Sequence, residues 1–144
     1  MSPRTATTLY LPPSLQSDLE VHTRAEFPRE ACGTLIGRTT ELGVEVVRVE
    51  RGENLNESSE QFTLDPAHLV RAEQMACDDG LEIVGIWHSH PNQPAVPSTR
   101  DREAAWRGWS YLILSVLEAG VSELRSWRID GDVVREERVV THHP

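Results

Sequence analysis

The sequence predicts an α/β fold, a single mixed β-sheet with flanking helices. Three observations carry this. Strand-like and helix-like segments interleave in the order β-α-β-β-(β)-α-β-α-β-β-β, with residues 62–64 as the short bracketed strand. Residues 111–117 form a solidly apolar run that reads as a central strand. Asp130-Gly131 joins two further strand-like segments as a tight hairpin. At 144 residues the chain is one domain's worth (residues 1–144). It is long enough to bury a core without disulfide or metal staples.

The elements follow in order. Leu9-Tyr10-Leu11 is a short strand stopped by Pro12-Pro13. Ser14 is placed to cap a helix that carries Leu15 and Leu19 and closes before Pro28. Residues 31–37, Ala-Cys-Gly-Thr-Leu-Ile-Gly, read as a buried strand whose glycines admit neighbouring backbone. Residues 42–49 alternate as a partly exposed strand. The polar run 52–61 is the one clear loop. Asp65-Pro66 then supplies an N-cap and an N1 proline for a second helix, with Leu69, Met75 and Ala76 facing inward and Gly80 ending it. Residues 81–88 give the strongest strand signal. After a loop carrying Pro91, Pro94 and Pro97, a helix is expected from Ser98 through Trp106. Residues 124–129 and 133–140 form the closing hairpin.

Composition narrows the function classes. The formal net charge of −9 and a pI of about 5.1 lack the basic field that non-specific nucleic-acid or anionic-membrane binding needs, so neither partner is expected. No window reaches the ~20 apolar residues of a membrane span, and residues 1–11 lack a signal-peptide run, which makes a cytoplasmic protein the default. Cys32 and Cys77 form no CxxC pair and read as small core residues. The last hairpin offers edges through which a homodimer could pair.

The stretch that carries chemistry is His88-Ser89-His90-Pro91, followed by Ser98 and Asp101. Two histidines two apart on a strand share a face, with Cα atoms roughly 6.5–7 Å apart, so both rings can converge on one ion. Asp101 is the plausible third ligand. Two imidazoles, one carboxylate and an open fourth position are the pattern of a catalytic zinc site, one Zn²⁺ per chain. Ser98 and Asp101 also suit a helix start as N-cap and N3, and the two roles are compatible. Six specified residues at fixed spacing arise by chance on the order of once in a million such chains. His22, His68, His142 and His143 read as surface groups, Trp87 as core, and Trp106 and Trp109 as core or groove wall.

The run Glu30-Ala31-Cys32-Gly33-Thr34-Leu35-Ile36-Gly37, with the His88–Asp101 set downstream, resembles the JAMM (catalytic MPN-domain) metallopeptidases. Phe62-Thr63-Leu64-Asp65-Pro66 is similar to members of that family as well. The resemblance implies a mixed α/β domain similar to the cytidine-deaminase core, of the compact stand-alone prokaryotic type. It implies zinc on His88, His90 and Asp101, Glu30 as general base and acid, and Ser98 as an oxyanion donor. The implied reaction is hydrolysis of the peptide or isopeptide bond after the C-terminal Gly-Gly of a ubiquitin-like protein of sulfur-carrier type. Residues 53–61 would be a mobile insertion flanking the groove for that tail. Other peptide substrates of cell-wall or phage-tail origin, and a non-catalytic interaction module, are the competing readings.

Overall fold

The computed structural model describes residues 7–58 and 60–141. The N-terminal residues 1–6 and the His142-His143 pair lie outside the described residues. Seven strands and three helices are described: β1 (Thr8–Tyr10), α1 (Pro13–Glu26), β2 (Cys32–Thr40), β3 (Gly43–Arg51), α2 (Pro66–Asp78), β4 (Glu82–Pro91), α3 (Thr99–Ala104), β5 (Ser110–Leu117), β6 (Gly120–Asp130) and β7 (Val133–Val140). No helix among the described residues is long and apolar enough to cross a membrane.

The sheet is mixed, as expected, but it closes on itself in the order β1-β3-β2-β4-β5-β6-β7. Three-residue β1 is the clasp: Leu9 pairs in parallel with Val44 of β3 and with Val139 of β7. Buried Glu137 reinforces the join, accepting hydrogen bonds from Thr7, from Ser126 Oγ at 2.7 Å and from Arg128 Nε at 3.0 Å. At its Thr8–Tyr10 pairings β1 covers the outer edge of β7 over residues 138–140, so only the rest of that edge is open to pairing of the kind the sequence suggested.

One core cluster draws on all seven strands together with Leu15 and Leu19 of α1, so the sheet curls around α1. Helix α2 packs outside, setting Ala72 and Ala76 against Ile36, Leu81 and Ile83. A β-bulge at Val84 decides which side of β4 faces which layer. Leu35 pairs with Gly85 and Ile36 with Ile83, leaving Val84 over. Val84 and Trp87 therefore join the inner cluster, while Ile86 turns outward with Tyr111 and Ile113.

The register of β2 on β4 rests on Gly33. It pairs with Trp87, whose indole crosses it to donate to Glu50 O at 3.0 Å. A Cβ at Gly33 would lie 1.9 Å from that carbonyl oxygen and 2.5 Å from the indole nitrogen, so only glycine fits.

Several local expectations need correction. Pro12 is the residue before α1, with no side-chain cap, and Ser14 lies inside the helix. Two consecutive prolines already preset the entry φ, so the serine is not needed there. Residues 62–64 make only an Asn54–Leu64 bridge. Met75 is exposed, and the inward stripe of α2 is His68, Ala72 and Ala76. Helix α3 stops at Ala104 rather than Trp106. Cys32 is buried but Cys77 is exposed. The final hairpin turns at Gly131-Asp132, since Asp130 still pairs with Val133. Only Gly131 has positive φ there, the type II′ arrangement.

Candidate metal centre

The site is built from the register of β2 and β4 outward. Cys32 pairs with His88, and opposite residues of an antiparallel pair share a face. Continuing that alternation sets Glu30 opposite His90 on the same face. Just before β2, the Ala31 amide donates to Ser89 Oγ at 2.8 Å and the Ser89 amide donates to Ala31 O at 3.0 Å. Ser89, pointing away from the histidines, thus fixes the chain next to Glu30. The Glu30 side chain is 3% exposed, and its Oε1 has no hydrogen-bond partner. Burial raises its pKa to about 8, with nearby Asp101 adding to the shift and His90 and Arg100 opposing it. Cys32, also buried there, is pushed up to about 12 by burial and by Glu30.

His88 and His90 are almost fully buried. The loop after them is held from three sides. Ser115 Oγ donates to Gln93 O at 2.5 Å, Trp127 Nε1 donates to Ala95 O at 2.9 Å, and the Ala95 amide donates to Glu123 Oε1 at 2.9 Å. This anchored loop presents Pro94 O to His90 Nδ1 at 2.9 Å. A carbonyl can only accept, so Nδ1 carries the proton and Nε2 is free to coordinate. The same loop delivers α3 with a complete capping box. Ser98 Oγ accepts from the Asp101 amide at 3.0 Å, and Asp101 Oδ2 accepts from the Ser98 amide at 2.9 Å.

That box holds Asp101 Oδ2 against both rings. The distances are 3.1 Å between His88 Nε2 and His90 Nε2, 3.3 Å from His88 Nε2 to Oδ2, and 3.0 Å from His90 Nε2 to Oδ2. A tetrahedral zinc with bonds of about 2.0–2.1 Å has ligand–ligand edges of roughly 3.3 Å, which this triangle fits. With Nδ1 of His90 protonated, its Nε2 and Asp101 Oδ2 both present lone pairs at 3.0 Å, so a cation or proton must sit between them. Burial lowers the His88 pKa, against the pull of Asp101. At His90 the Asp101 carboxylate, Pro94 carbonyl and Glu30 together outweigh burial and raise it. At Asp101 burial is outweighed by the two imidazoles, which hold the carboxyl well below its usual range. Glu30 could also serve as a third donor, its carboxylate lying within 4.8 Å of both imidazoles. The Asp101 set is the tighter one, and it leaves Glu30 outside the triangle.

Known proteins are similar to this chain over most of its length. The model of the prokaryotic homologs of the JAB domain matches residues 12–130. The chain belongs to that family. A relative from Thermus thermophilus, named "Probable TtuB-protein conjugate cleaving protease", is 38% identical over 101 residues, 69% of this chain and 65% of that protein. The matched stretch thus spans just under two thirds of that relative's length. The "CysO-cysteine peptidase" of Mycobacterium tuberculosis is 30% identical over 141 residues, covering 94% of this chain and 92% of that one. The solution structure of a Desulfitobacterium hafniense protein superposes with a TM-score of 0.82 at 33% identity, over 94% of this chain and 99% of the other.

Beside the triangle, the JAB domain has a cavity of about 300 Å³ that reaches His88 and Asp101. Its walls include Phe62, Leu69, Trp109 and Tyr111, with Arg100 as the cation among its lining residues. Phe62 stacks on His88 at 4.5 Å between ring centres. Both tryptophans that the sequence left open line this cavity, stacked at 5.8 Å, and Trp87 is core as expected. His68 is buried rather than superficial, its Nε2 3.0 Å from Thr34 Oγ1. Sequence reasoning missed the roles of Ser89, Pro94 and Phe62. The first two lie inside or beside the His-x-His-Pro motif and could have been suspected from position, whereas Phe62 was read only as part of a short strand and of the family resemblance.

Proposed function

We propose that this JAB domain is a zinc-dependent hydrolase cutting the peptide or isopeptide bond after the C-terminal Gly-Gly of a ubiquitin-like protein of sulfur-carrier type. The observation that carries the reading is the His88–His90–Asp101 triangle with Glu30 buried beside it. Relatives named for cleaving TtuB-protein conjugates and for a CysO-cysteine peptidase activity support the substrate kind.

In this reading His88, His90 and Asp101 hold one zinc per chain, which when bound supplies Lewis-acid polarisation and an acidified water. Glu30 takes the proton of the attacking water and returns it to the leaving amine. A carboxyl raised to about 8 is matched to that work, because a group with a pKa near the operating pH both accepts and donates readily. Burial without a fixed partner for Oε1 leaves the carboxyl free to follow the proton. Ser98, whose oxygen caps α3, retains its hydroxyl hydrogen and donates it where negative charge develops on the carbonyl oxygen. Phe62 and Thr63, which follow the 53–61 insertion, line the cavity beside the triangle, and an extended tail laid along backbone there gains hydrogen bonds irrespective of its side chains. A cytoplasmic setting is part of the proposal.

The test uses two substrates: a ubiquitin-like carrier extended by a few residues past Gly-Gly, and the same carrier linked to a lysine. Mass spectrometry follows the product. The zinc-loaded protein is expected to release carrier ending at Gly-Gly. Chelated protein and Glu30→Gln should not, although the variant still binds one zinc. Undiminished cleavage by the chelated protein or by Glu30→Gln would overturn the assignment.

A further inference from the structure

We propose that Asn54 is a positioning residue that sets Glu30 and the Phe62 side of the site with a single carboxamide; the inference rests on the hydrolase reading above. Asn54 stands in the most polar stretch of the chain, yet it is only 8% exposed. Its Nδ2 donates to Glu30 O at 2.8 Å. Its Oδ1 accepts from the Asn56 and Thr63 amides, both at 2.9 Å. One end of the carboxamide thus grips the backbone of the proton carrier. The other grips both ends of the loop, the second of them one residue from Phe62, whose ring lies on His88.

Arg29, the residue before Glu30, closes the network from the opposite direction. One of its terminal nitrogens, NH2, donates to Asn54 O at 2.8 Å and to Asn56 O at 2.7 Å. Arg29 and Glu30 are therefore laced to Asn54 and Asn56 by contacts running both ways, and Asn54 supplies the one that reaches Glu30. Chemistry selects the residue type. The position needs a donor on one side and an acceptor on the other, which a carboxamide supplies and an ionised aspartate or an alanine does not. Such a clamp matters because misplacing a reacting group by about 1 Å can lower a rate on the order of 100-fold.

Asn54→Asp and Asn54→Ala separate the two ends. The aspartate keeps the acceptor for Asn56 and Thr63 but sets a carboxylate against the Glu30 carbonyl; the alanine releases both. With one zinc bound in each, Asn54→Asp is expected to lower kcat at least about tenfold with KM within about twofold. Asn54→Ala should lower kcat and also raise KM several-fold. General destabilisation would not divide the two constants in this way. Amide hydrogen exchange supplies a readout independent of turnover: Asn56 and Thr63 should exchange at least about tenfold faster in Asn54→Ala and stay protected in Asn54→Asp. If Asn54→Ala fails to fold, Arg29→Ala, which loosens the same loop from a partly exposed position, should speed Asn56 exchange. Unchanged exchange in the alanine variants, or unchanged kcat in zinc-loaded Asn54→Asp, would overturn the clamp. An inactive wild-type protein with these exchange effects intact would instead sink the hydrolase reading and leave the clamp standing.

Discussion

Glu30 should make the metal-free protein lose stability as pH rises, and glutamine in its place should remove that loss. The folded carboxyl is raised from 4.5 to about 8, chiefly by burial, while in the unfolded chain it ionises near its ordinary value. Between those limits the folded state keeps a proton that the unfolded state has released, so the unfolding free energy falls with increasing pH. Below about 4.5 both states are protonated and the loss is absent; above about 8 both are ionised and it is complete. The interval from 4.5 to about 8, at about 1.4 kcal/mol per pH unit, comes to roughly 4–5 kcal/mol. That is a large share of the ~5–15 kcal/mol by which a domain is ordinarily stable.

Urea unfolding of chelator-treated wild type and Glu30→Gln at pH 5, 6.5 and 8 measures it. His88, His90 and Asp101 titrate in both proteins, so the difference between the two curves reports Glu30 together with its charge coupling to His90 and Asp101. The gap should widen in favour of glutamine by several kcal/mol between pH 5 and 8. Curves that stay parallel would show that the carboxyl ionises freely in the folded state, and would refute both the burial argument and its fitness as a proton carrier near neutral pH.

Three further outcomes are expected. Zinc at 100 times its Kd should add about 2.7 kcal/mol, raising Tm by roughly 5–10 °C in a domain of this size; scanning fluorimetry with and without chelator reads this, and His90→Ala should abolish the shift. Gly33→Ala forces a Cβ into the Glu50 carbonyl and the Trp87 indole and should lose about 3 kcal/mol or more, seen as a collapsed melting temperature or insoluble protein. Glu137→Ala strips Ser126 and Arg128 of their partner at the barrel join. It should lose about 3 kcal/mol in urea titration, with Glu137→Gln losing less because it keeps a hydrogen-bonding group.

What could be read in the sequence follows how local each signal is. The three proposed ligands, His88, His90 and Asp101, lie within fourteen residues, and strand alternation plus an N-cap motif suffices to converge them. The closed sheet was not legible, because it depends on a three-residue strand meeting two partners far along the chain, and three residues carry no period. Met75 was misplaced because an apolar side chain outranks alanine in any hydrophobic pattern, although small Ala72 and Ala76 are what let α2 sit close to Ile36. Asn54 was invisible for the opposite reason: a buried carboxamide within a polar run looks like its solvated neighbours.

Glu30 lies between these cases. Family resemblance singled it out, but only the ladder sets it beside the histidines, and a ladder is a matter of register. Slipping β2 by two residues along β4 would keep every side chain on its face, and would leave His88, His90 and Asp101 where they are. It would still carry Glu30 about 7 Å from its place. Two contacts on the far side of the strands forbid the slip: the indole of Trp87 crossing Gly33 to reach Glu50, and the reciprocal hydrogen bonds of Ala31 with Ser89. The reach of the carboxylate to the metal site is therefore fixed by residues that face away from it. Enlarging Gly33 in any form that still folds should then separate metal binding, which the proposed triangle would retain, from turnover, which under the proposed mechanism needs Glu30 in register.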